Sequence, residues 1–149
     1  MKVETEEDRD ESNNEGEYAL RALIVLGDRP CAVHSIAEVA EKTLVPIHYL
    51  EQILLQLKNL GYVKSKRGVQ GGYSLRRPAA DIVVGDVVRQ LEGPLAPMGC
   101  VSLTAYDPCP LEAGCLLKPL WALVRDTVAQ VLDNTTLEDL LNENIREPS

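Results

Sequence analysis

The sequence predicts a mainly α-helical fold with one small β-hairpin: a winged helix-turn-helix unit followed by a long C-terminal helix. Two helical apolar patterns lie only three residues apart, and two short strand-like segments around a glycine-rich, basic tip come directly after them. A longer amphipathic pattern lies near the C-terminus. With 149 residues, of which 45% are apolar and 26% charged, the composition fits one ordinary globular domain with a trailing helix.

The N-terminal segment, residues 1–16, is expected to be a disordered acidic tail because it lacks apolar periodicity. A first helix is predicted from about Glu17 to Leu26, where leucines and isoleucine recur at helical spacing. Gly27 is predicted to stop this helix at its C-terminal end.

The helix-turn-helix pattern begins at Ser35. Ser35 and Glu38 predict a capping box for a short helix that ends at Lys42. After a three-residue turn, Pro46 suits the first position of a third helix, which carries an apolar stripe and is closed by Gly61.

A hairpin is predicted directly after the third helix. Residues 62–65 and 73–76 have the composition of short strands, and the tip between them, residues 66–72, is rich in glycine and basic residues. A further short helix is predicted over residues 85–91. The order helix, turn, helix, hairpin is that of a DNA-binding wing, whereas an ordinary surface hairpin is the alternative.

The net charge of −8 is distributed very unevenly along the chain. Residues 1–17 carry −6 and residues 133–149 carry −4, whereas residues 58–77 contain six basic residues and no acid. A local charge of +6 suits contacts with phosphates, so the overall acidity does not exclude a nucleic-acid partner.

Three of the four cysteines, Cys100, Cys109 and Cys115, lie in a proline- and glycine-rich loop, residues 93–115. The sequence shows no export signal or membrane span, so a reducing cytoplasm is expected, where clustered thiols more often hold metals than form disulfides. Thiolates suit iron–sulfur clusters or zinc, although the C-x2-C pairs typical of zinc are absent. Three free thiols are the alternative.

The last long helix is predicted over residues 116–133. Its apolar stripe exceeds what one small domain needs, so the helix is expected to pair with its twin in a homodimer, and packing on its own domain is the alternative. The residues of this stripe are Leu117, Leu120, Trp121, Val124, Val128 and Val131.

The closing segment, residues 134–149, is predicted to hold a short helix and a tail. Thr135 and Glu138 predict a second capping box, which would start a helix from Leu137 to Leu141. The predicted division of the chain is therefore tail 1–16, DNA-binding domain 17–92, cysteine loop 93–115, dimerisation helix 116–133 and closing segment 134–149.

Several motifs together resemble those of the Rrf-two family of regulators, which includes the IscR and NsrR types. The resemblance covers about residues 17–141 and implies a dimeric winged helix-turn-helix transcription factor that binds a double-stranded DNA operator. It further implies an iron–sulfur cluster held by the three loop cysteines. The motifs that carry it are residues 17–23 (EYALRAL), 49–54 (YLEQIL), 67–73 (RGVQGGY), 84–87 (VGDV) and the three cysteines followed by Trp121.

The resemblance also indicates where a fourth cluster ligand lies. Members similar to IscR place a histidine ligand where this chain has Lys118, whose ammonium group cannot ligate, so a histidine ligand is not expected there. NsrR-type members instead use an acidic residue of the partner subunit, at the position that Glu17 occupies in this chain. A plain helix-start acid is the alternative for Glu17. Cys31 is a lesser candidate, expected instead to fill a small pocket. Eight residues separate the first two cysteines, more than in many members, which leaves [2Fe-2S] and [4Fe-4S] both open.

The predicted DNA contacts follow from the helix-turn-helix and the hairpin. His48, Tyr49, Glu51 and Gln52 are placed for the major groove, and Arg67 on the hairpin tip for a minor groove. His34 is expected on the surface. The remaining predicted contacts, to phosphate or through the backbone, are Ser35, Lys58, Lys64, Lys66, Gln70, Gly71 and Arg76.

The sequence therefore predicts a cytoplasmic, homodimeric DNA-binding regulator that senses iron supply, oxidants or nitric oxide through its cluster. The alternative is a regulator of the same fold that uses its thiols directly, without metal, to respond to redox state or a partner. An enzyme, a small-molecule substrate and a membrane partner are not expected. A small electron-transfer protein is disfavoured because it would not need the basic hairpin.

Overall fold

The computed structural model describes residues 15–92, 108 and 113–147. Its elements follow the predicted order, with a two-stranded antiparallel hairpin between the third and fourth helices. The helices and strands are α1 (Glu15–Asp28), α2 (Ile36–Thr43), α3 (Ile47–Asn59), β1 (Val63–Lys66), β2 (Gly72–Leu75), a 3₁₀ turn (Ala79–Asp81), α4 (Val84–Glu92), α5 (Lys118–Asp133) and α6 (Leu137–Leu141).

Helix α1 is the centre of the fold and contacts α2, α3, α4, α6 and β2. Its inward face is small and aliphatic, and Ala19, Ala22 and Leu23 are fully buried, which lets the neighbouring helices approach closely. The prediction that Gly27 stops this helix is wrong, because α1 continues to Asp28. Gly27 is instead a packing residue, since a Cβ there would lie 2.8 Å from the side chain of Leu141.

The helix-turn-helix is built much as its sequence predicts. The Ser35 hydroxyl accepts a hydrogen bond from the backbone N–H of Glu38 at 3.1 Å, which caps α2. Helix α2 ends at Thr43, and Leu44 takes a left-handed conformation (φ 58°) that turns the chain toward α3. Pro46 is the N-cap of α3 rather than its first helical residue.

All four ends of the hairpin strands lie one residue away from their predicted positions. Val63 pairs with Leu75, and Lys66 pairs with Gly72. Val63 and Leu75 are buried on the domain side, whereas Lys64, Ser65 and Lys66 are exposed. The hairpin is therefore anchored at its base and presents its basic residues to solvent.

The C-terminal helix α6 returns to the core of the N-terminal unit. Leu137 is fully buried, and its backbone N–H donates to the carbonyl of Ile82 at 2.8 Å. The predicted capping box is wrong by one residue: Thr136 and Asp139, not Thr135 and Glu138, exchange the two hydrogen bonds. The carbonyl of Thr135 accepts from the N–H of Val84.

Helix α5 differs from the others because none of its residues is fully buried. It contacts α4, where Asp133 forms a two-bond ion pair with Arg89. This pairing raises the pKa of the Arg89 guanidinium, chiefly through the hydrogen bond to Asp133. Among the described helices, none is long and apolar enough to cross a membrane.

Candidate nucleic-acid interface

Helix α3 has one buried face and one exposed face. Leu50, Leu54 and Leu57 are fully buried against the core. On the opposite side, His48, Glu51, Gln52 and Lys58 are exposed and Tyr49 is half-buried, with its ring centroid 3.9 Å from that of His48. We call these five side chains the recognition face. They offer donors, acceptors and one ammonium group, which are the groups that read base edges and phosphates.

The basic hairpin, residues 63–75, follows α3 after one tight turn. Lys64, Lys66, Arg67 and Gln70 are all exposed, and so is Arg76 directly after β2. Gly71 is required at the tip because a Cβ there would overlap the carbonyl oxygen of Lys66. The predicted phosphate-binding residues therefore lie on one projecting element.

The hairpin is fixed to the helix-turn-helix through His34, which lies two residues before α2. The backbone groups of His34 and Tyr73 exchange two hydrogen bonds, each 2.8 Å long, so that β2 gains a short bridge on its second edge. Gly72 lies so close to the His34 carbonyl that a Cβ could not be accommodated. This bridge gives the hairpin a defined position relative to α2 and α3.

The prediction that His34 is a surface residue is wrong, because its side chain is fully buried. Its Nδ1 lies 3.3 Å from a carboxylate oxygen of Glu38, and its Nε2 lies 3.4 Å from the carbonyl of Arg29. The bridge to Tyr73 fixes the backbone of His34, and its ring nitrogens lie close to Arg29 and Glu38. His34 is therefore a structural residue of the interface and not a contact residue.

Glu38 connects the loop before α2 to α2 itself. Its carboxylate accepts from Arg29 at 2.6 Å and from Lys42 at 3.0 Å. The hydrogen bond from Lys42 is the largest of the effects that lower the pKa of Glu38. The reciprocal half of the predicted capping box is absent among the described contacts, because this carboxylate binds cations instead of the Ser35 N–H. Ser35, a predicted DNA contact, is exposed and acts here as the helix cap.

A cleft of about 370 Å³ separates the start of α1 from α3. Its lining is aromatic and polar, with Glu15 and Tyr18 on one side and members of the recognition face on the other. The chain therefore enters the described fold directly beside the recognition face. The α3 residues in the lining include His48, Tyr49, Gln52 and Gln56.

The predicted dimerisation residues lie along α5, and much of this helix is exposed. Leu117 and Leu120 are each about half exposed, and Val128 is 38% exposed, whereas Trp121, Val124 and Val131 are half-buried. Leu123, which is 64% exposed, was not among the predicted dimerisation residues. Its position three residues after Leu120 on the same helix could have identified it.

The predicted cluster ligands are only partly described. Cys100 and Cys109 lie outside the described residues, and Cys115 is a half-buried free thiol shortly before α5. Cys31 is an exposed free thiol, so the expectation that it fills a small pocket is wrong. Glu17 is exposed in the first turn of α1 and pairs with Arg21 at 2.6 Å. Within the described part of the chain, no three histidine, cysteine or acidic residues come together as a metal site.

Comparison with known proteins identifies relatives along most of the chain. The model of the Rrf2 family, described as iron-dependent transcriptional regulators, matches residues 12–143. An rrf2-like HTH-type transcriptional regulator of Rhodobacter capsulatus is 40% identical over 132 residues, covering 83% of this chain and 87% of that protein. The transcriptional regulator CymR of Bacillus subtilis is also 40% identical over 132 residues, covering 86% and 87%.

Solved structures show the same architecture. CymR of B. subtilis, described as its global cysteine regulator, has a TM-score of 0.73 and 35% identity, covering 96% of this chain and 98% of that one. IscR of T. potens has a TM-score of 0.67 and 30% identity, covering 96% and 88%. An oxidised form of Staphylococcus aureus CymR has a TM-score of 0.67 and 36% identity, covering 95% and 96%. The first of these is named a regulator, and all three align with most of this chain.

Proposed function

Because the chain belongs to the Rrf2 family of DNA-binding transcriptional regulators and is not an enzyme, we propose that it binds operator DNA in the cytoplasm as a homodimer. The recognition face enters the major groove, and the basic hairpin binds phosphates and an adjacent minor groove. The observation that carries this proposal is the His34–Tyr73 bridge. It holds the exposed basic hairpin at a fixed place beside the exposed face of α3.

The homodimer is proposed from the apolar side of α5. Leu117, Leu120 and Leu123 are half or more exposed in a single chain, so burying the rest of each side chain would contribute about half of the ~1.5–3 kcal/mol that full burial of a leucine provides. Pairing of two such helices covers this surface. It also provides the two-fold symmetry that a palindromic operator requires.

The regulator is further proposed to respond through its thiols without a metal. Two of the similar structures are CymR proteins, one described as a global cysteine regulator and one solved in an oxidised form. This chain has the corresponding chemistry available, because Cys31 is exposed and Cys115 is a half-buried free thiol. An accessible thiolate reacts with oxidants or with a second thiol, and such a change alters local packing.

An iron–sulfur cluster is the second candidate for the sensing group. Three cysteines within 16 residues supply soft ligands, and IscR is among the similar structures. Cys100, Cys109 and Cys115 would hold the cluster, which would supply a redox-active centre that reacts with oxidants or nitric oxide. Within one chain, Glu17 is poorly suited to be the fourth ligand, because its carboxylate is paired with Arg21.

Anaerobic purification of the full chain distinguishes the two sensing groups. The thiol proposal predicts colourless protein without iron or sulfide, whose DNA affinity changes on oxidation and returns on addition of a thiol reductant. A brown protein with iron and sulfide, both lost in Cys100→Ala, Cys109→Ala or Cys115→Ala, would establish the cluster instead. Glu17→Ala then separates a fourth ligand, whose loss alters the visible spectrum, from a helix-start acid, whose loss does not.

Operator binding itself is tested by selecting DNA from a random pool with the purified protein. The proposal predicts enrichment of a palindrome whose half-sites are about one helical turn apart. Absence of any enriched sequence at about 100 mM salt, under both reducing and oxidising conditions, would contradict it.

A further inference from the structure

We propose that the acidic segment before α1, residues 1–14, binds across the recognition face and the basic hairpin of its own chain and competes there with DNA. This inference rests on the proposed DNA face and adds a second occupant to it. The occupant is a segment of this chain, so the competition is intramolecular and depends on salt rather than on an added ligand.

The first argument is position. Helix α1 begins at Glu15, and Glu15 lines the same cleft as His48 and Gln52 of α3. Fourteen extended residues reach up to about 45–50 Å, whereas α3 is about 20 Å long. The segment is therefore attached beside the recognition face and is long enough to cross it.

The second argument is an uncompensated charge. None of the six basic residues between positions 58 and 77 forms an ion pair with a carboxylate of the described residues. Elsewhere, by contrast, Arg21, Arg29, Lys42 and Arg89 each lie within 4 Å of a carboxylate. The basic hairpin is thus the region that lacks acidic partners, and Lys64, Lys66 and Arg67 are all exposed there.

The third argument is the complementary charge of the segment. Residues 1–14 contain six acids and two bases, a net charge of −4. The six acids fall within eight positions, which gives the segment a density of negative charge similar to that of a row of phosphates. They are Glu4, Glu6, Glu7, Asp8, Asp10 and Glu11.

The fourth argument is that this segment is additional to the family pattern. The family model begins to match at residue 12, so all six acids precede the residues that this model matches. The DNA-binding elements lie entirely within the matched residues. An intramolecular competitor can therefore be added to, or removed from, this fold without changing the elements that read DNA.

Carbodiimide cross-linking of the full chain at low salt tests the docking directly. The reagent joins a carboxylate to a lysine amine only where the two are in contact, forming an amide while the reagent takes up the water as a urea. We expect peptides containing residues 4–11 to be joined to Lys64 or Lys66, and the product to disappear in the double variant Lys64→Gln/Lys66→Gln. Cross-links from this segment only to other lysines, or none, would overturn the proposal.

Titration of a short DNA duplex tests the competition. The tail variant carries Glu6→Gln, Glu7→Gln, Asp8→Asn and Asp10→Asn. A matched control carries Asp28→Asn, Asp81→Asn, Glu138→Gln and Glu143→Gln, four exposed acids at or near the opposite end of α1 from Glu15. Both variants lose four negative charges, so a general effect of net charge would be equal in the two.

We expect the tail variant to bind DNA about three- to ten-fold more tightly than the wild type at about 50 mM salt, with the difference vanishing near 300 mM. The control variant is expected to change by less than about two-fold. Equal changes in both variants, or no change in either, would overturn the proposal.

The proposed DNA face is checked separately in the same titrations. If Arg67→Ala weakens DNA binding while the tail variant binds like the wild type, only the competition fails. If Arg67→Ala and Lys64→Ala have no effect, the proposed DNA face fails, and the cross-linking result alone decides whether the segment docks.

Discussion

The DNA-binding unit and helix α5 differ in how much of their apolar surface a single chain covers. Helix α3 has four buried aliphatic side chains and leaves its polar side in solvent. Helix α5 is longer and has an apolar stripe of its own, yet it contains no fully buried residue. The two helices have the same kind of sequence pattern, so the pattern predicts an amphipathic helix but not what covers it. The described residues of one chain cover the apolar side of α3 but not that of α5, which the proposed dimer would cover with a second chain.

The largest effect is expected from a charged residue introduced into the apolar stripe of α5. In Leu120→Glu, we expect a monomer whose affinity for a two-half-site operator is lower by about 100-fold or more, because the two DNA-binding units no longer act together. Sedimentation and DNA titration measure the two effects. The control is Ile145→Glu. Ile145 is similar in size to leucine, lies outside α5 and is 67% exposed, so this variant should stay dimeric. A dimeric Leu120→Glu would show that α5 packs elsewhere.

A substitution at Gly72 tests whether contacts within one chain hold the hairpin against the helix-turn-helix. A Cβ at this position overlaps the His34 carbonyl, so Gly72→Ala should lower the free energy of unfolding by about 3 kcal/mol and detach the hairpin. Urea unfolding in the Leu120→Glu background measures this without a contribution from dimerisation. Gly68→Ala is the control: its φ of 115° costs about 1–2 kcal/mol, but no atom lies within 4 Å of its Cβ. Equal losses in the two variants would contradict the close approach of β2 to His34.

The hairpin contacts give the next largest expected effect. Arg67→Ala should weaken operator binding by about 1–3 kcal/mol through a lost groove contact. Lys64→Ala should weaken specific and non-specific binding alike and reduce the salt slope by about one. Arg146→Ala removes an exposed guanidinium outside the DNA-binding unit and should leave DNA affinity unchanged. Wild-type affinity in both hairpin variants would remove the hairpin from the interface.

Local signals predicted most of the fold, and long-range contacts account for the errors. The Ser35 cap and the order of elements follow from apolar spacing and residues a few positions apart, which sequence displays directly. The burial of His34 depends on its bridge to Tyr73, 39 positions away. Gly27 lies inside α1 and packs closely against Leu141, a long-range contact that no local rule for glycine reveals.

In the candidate site, too, the features that depend on local sequence were predicted, and those that depend on distant residues or on a ligand were not. The exposed residues of α3 and the hairpin were predicted correctly as a surface, because polar side chains opposite an apolar stripe must face solvent. Whether that surface binds DNA, and which group senses the signal, stays a prediction. The spacing of Cys100, Cys109 and Cys115 gives the ligand types, but it does not fix a geometry or a fourth ligand.

The smallest expected effect lies where the chain returns from α5 to the core. Two threonines compete to cap α6, because each has an acid three positions later. The N–H of Val84 binds the carbonyl of Thr135, which places Thr136 at the cap. Thr136→Ala should therefore lower the free energy of unfolding by about 1 kcal/mol, and Thr135→Ala should not remove the cap.

The pH dependence of stability provides an independent check of this cap. The backbone N–H of Thr136 lowers the pKa of Asp139. A carboxyl group whose pKa is lower in the folded state stabilises the fold above its unfolded pKa, about 3.9, and loses that contribution as the pH falls through the folded value. We therefore expect the stability difference between the wild type and Asp139→Asn to be constant near neutral pH and to shrink below about pH 4. Glu138→Gln is the control, and it should show no such narrowing. The opposite pattern would assign the cap to Thr135 and Glu138, and α6 would then enter the core one residue earlier than Leu137.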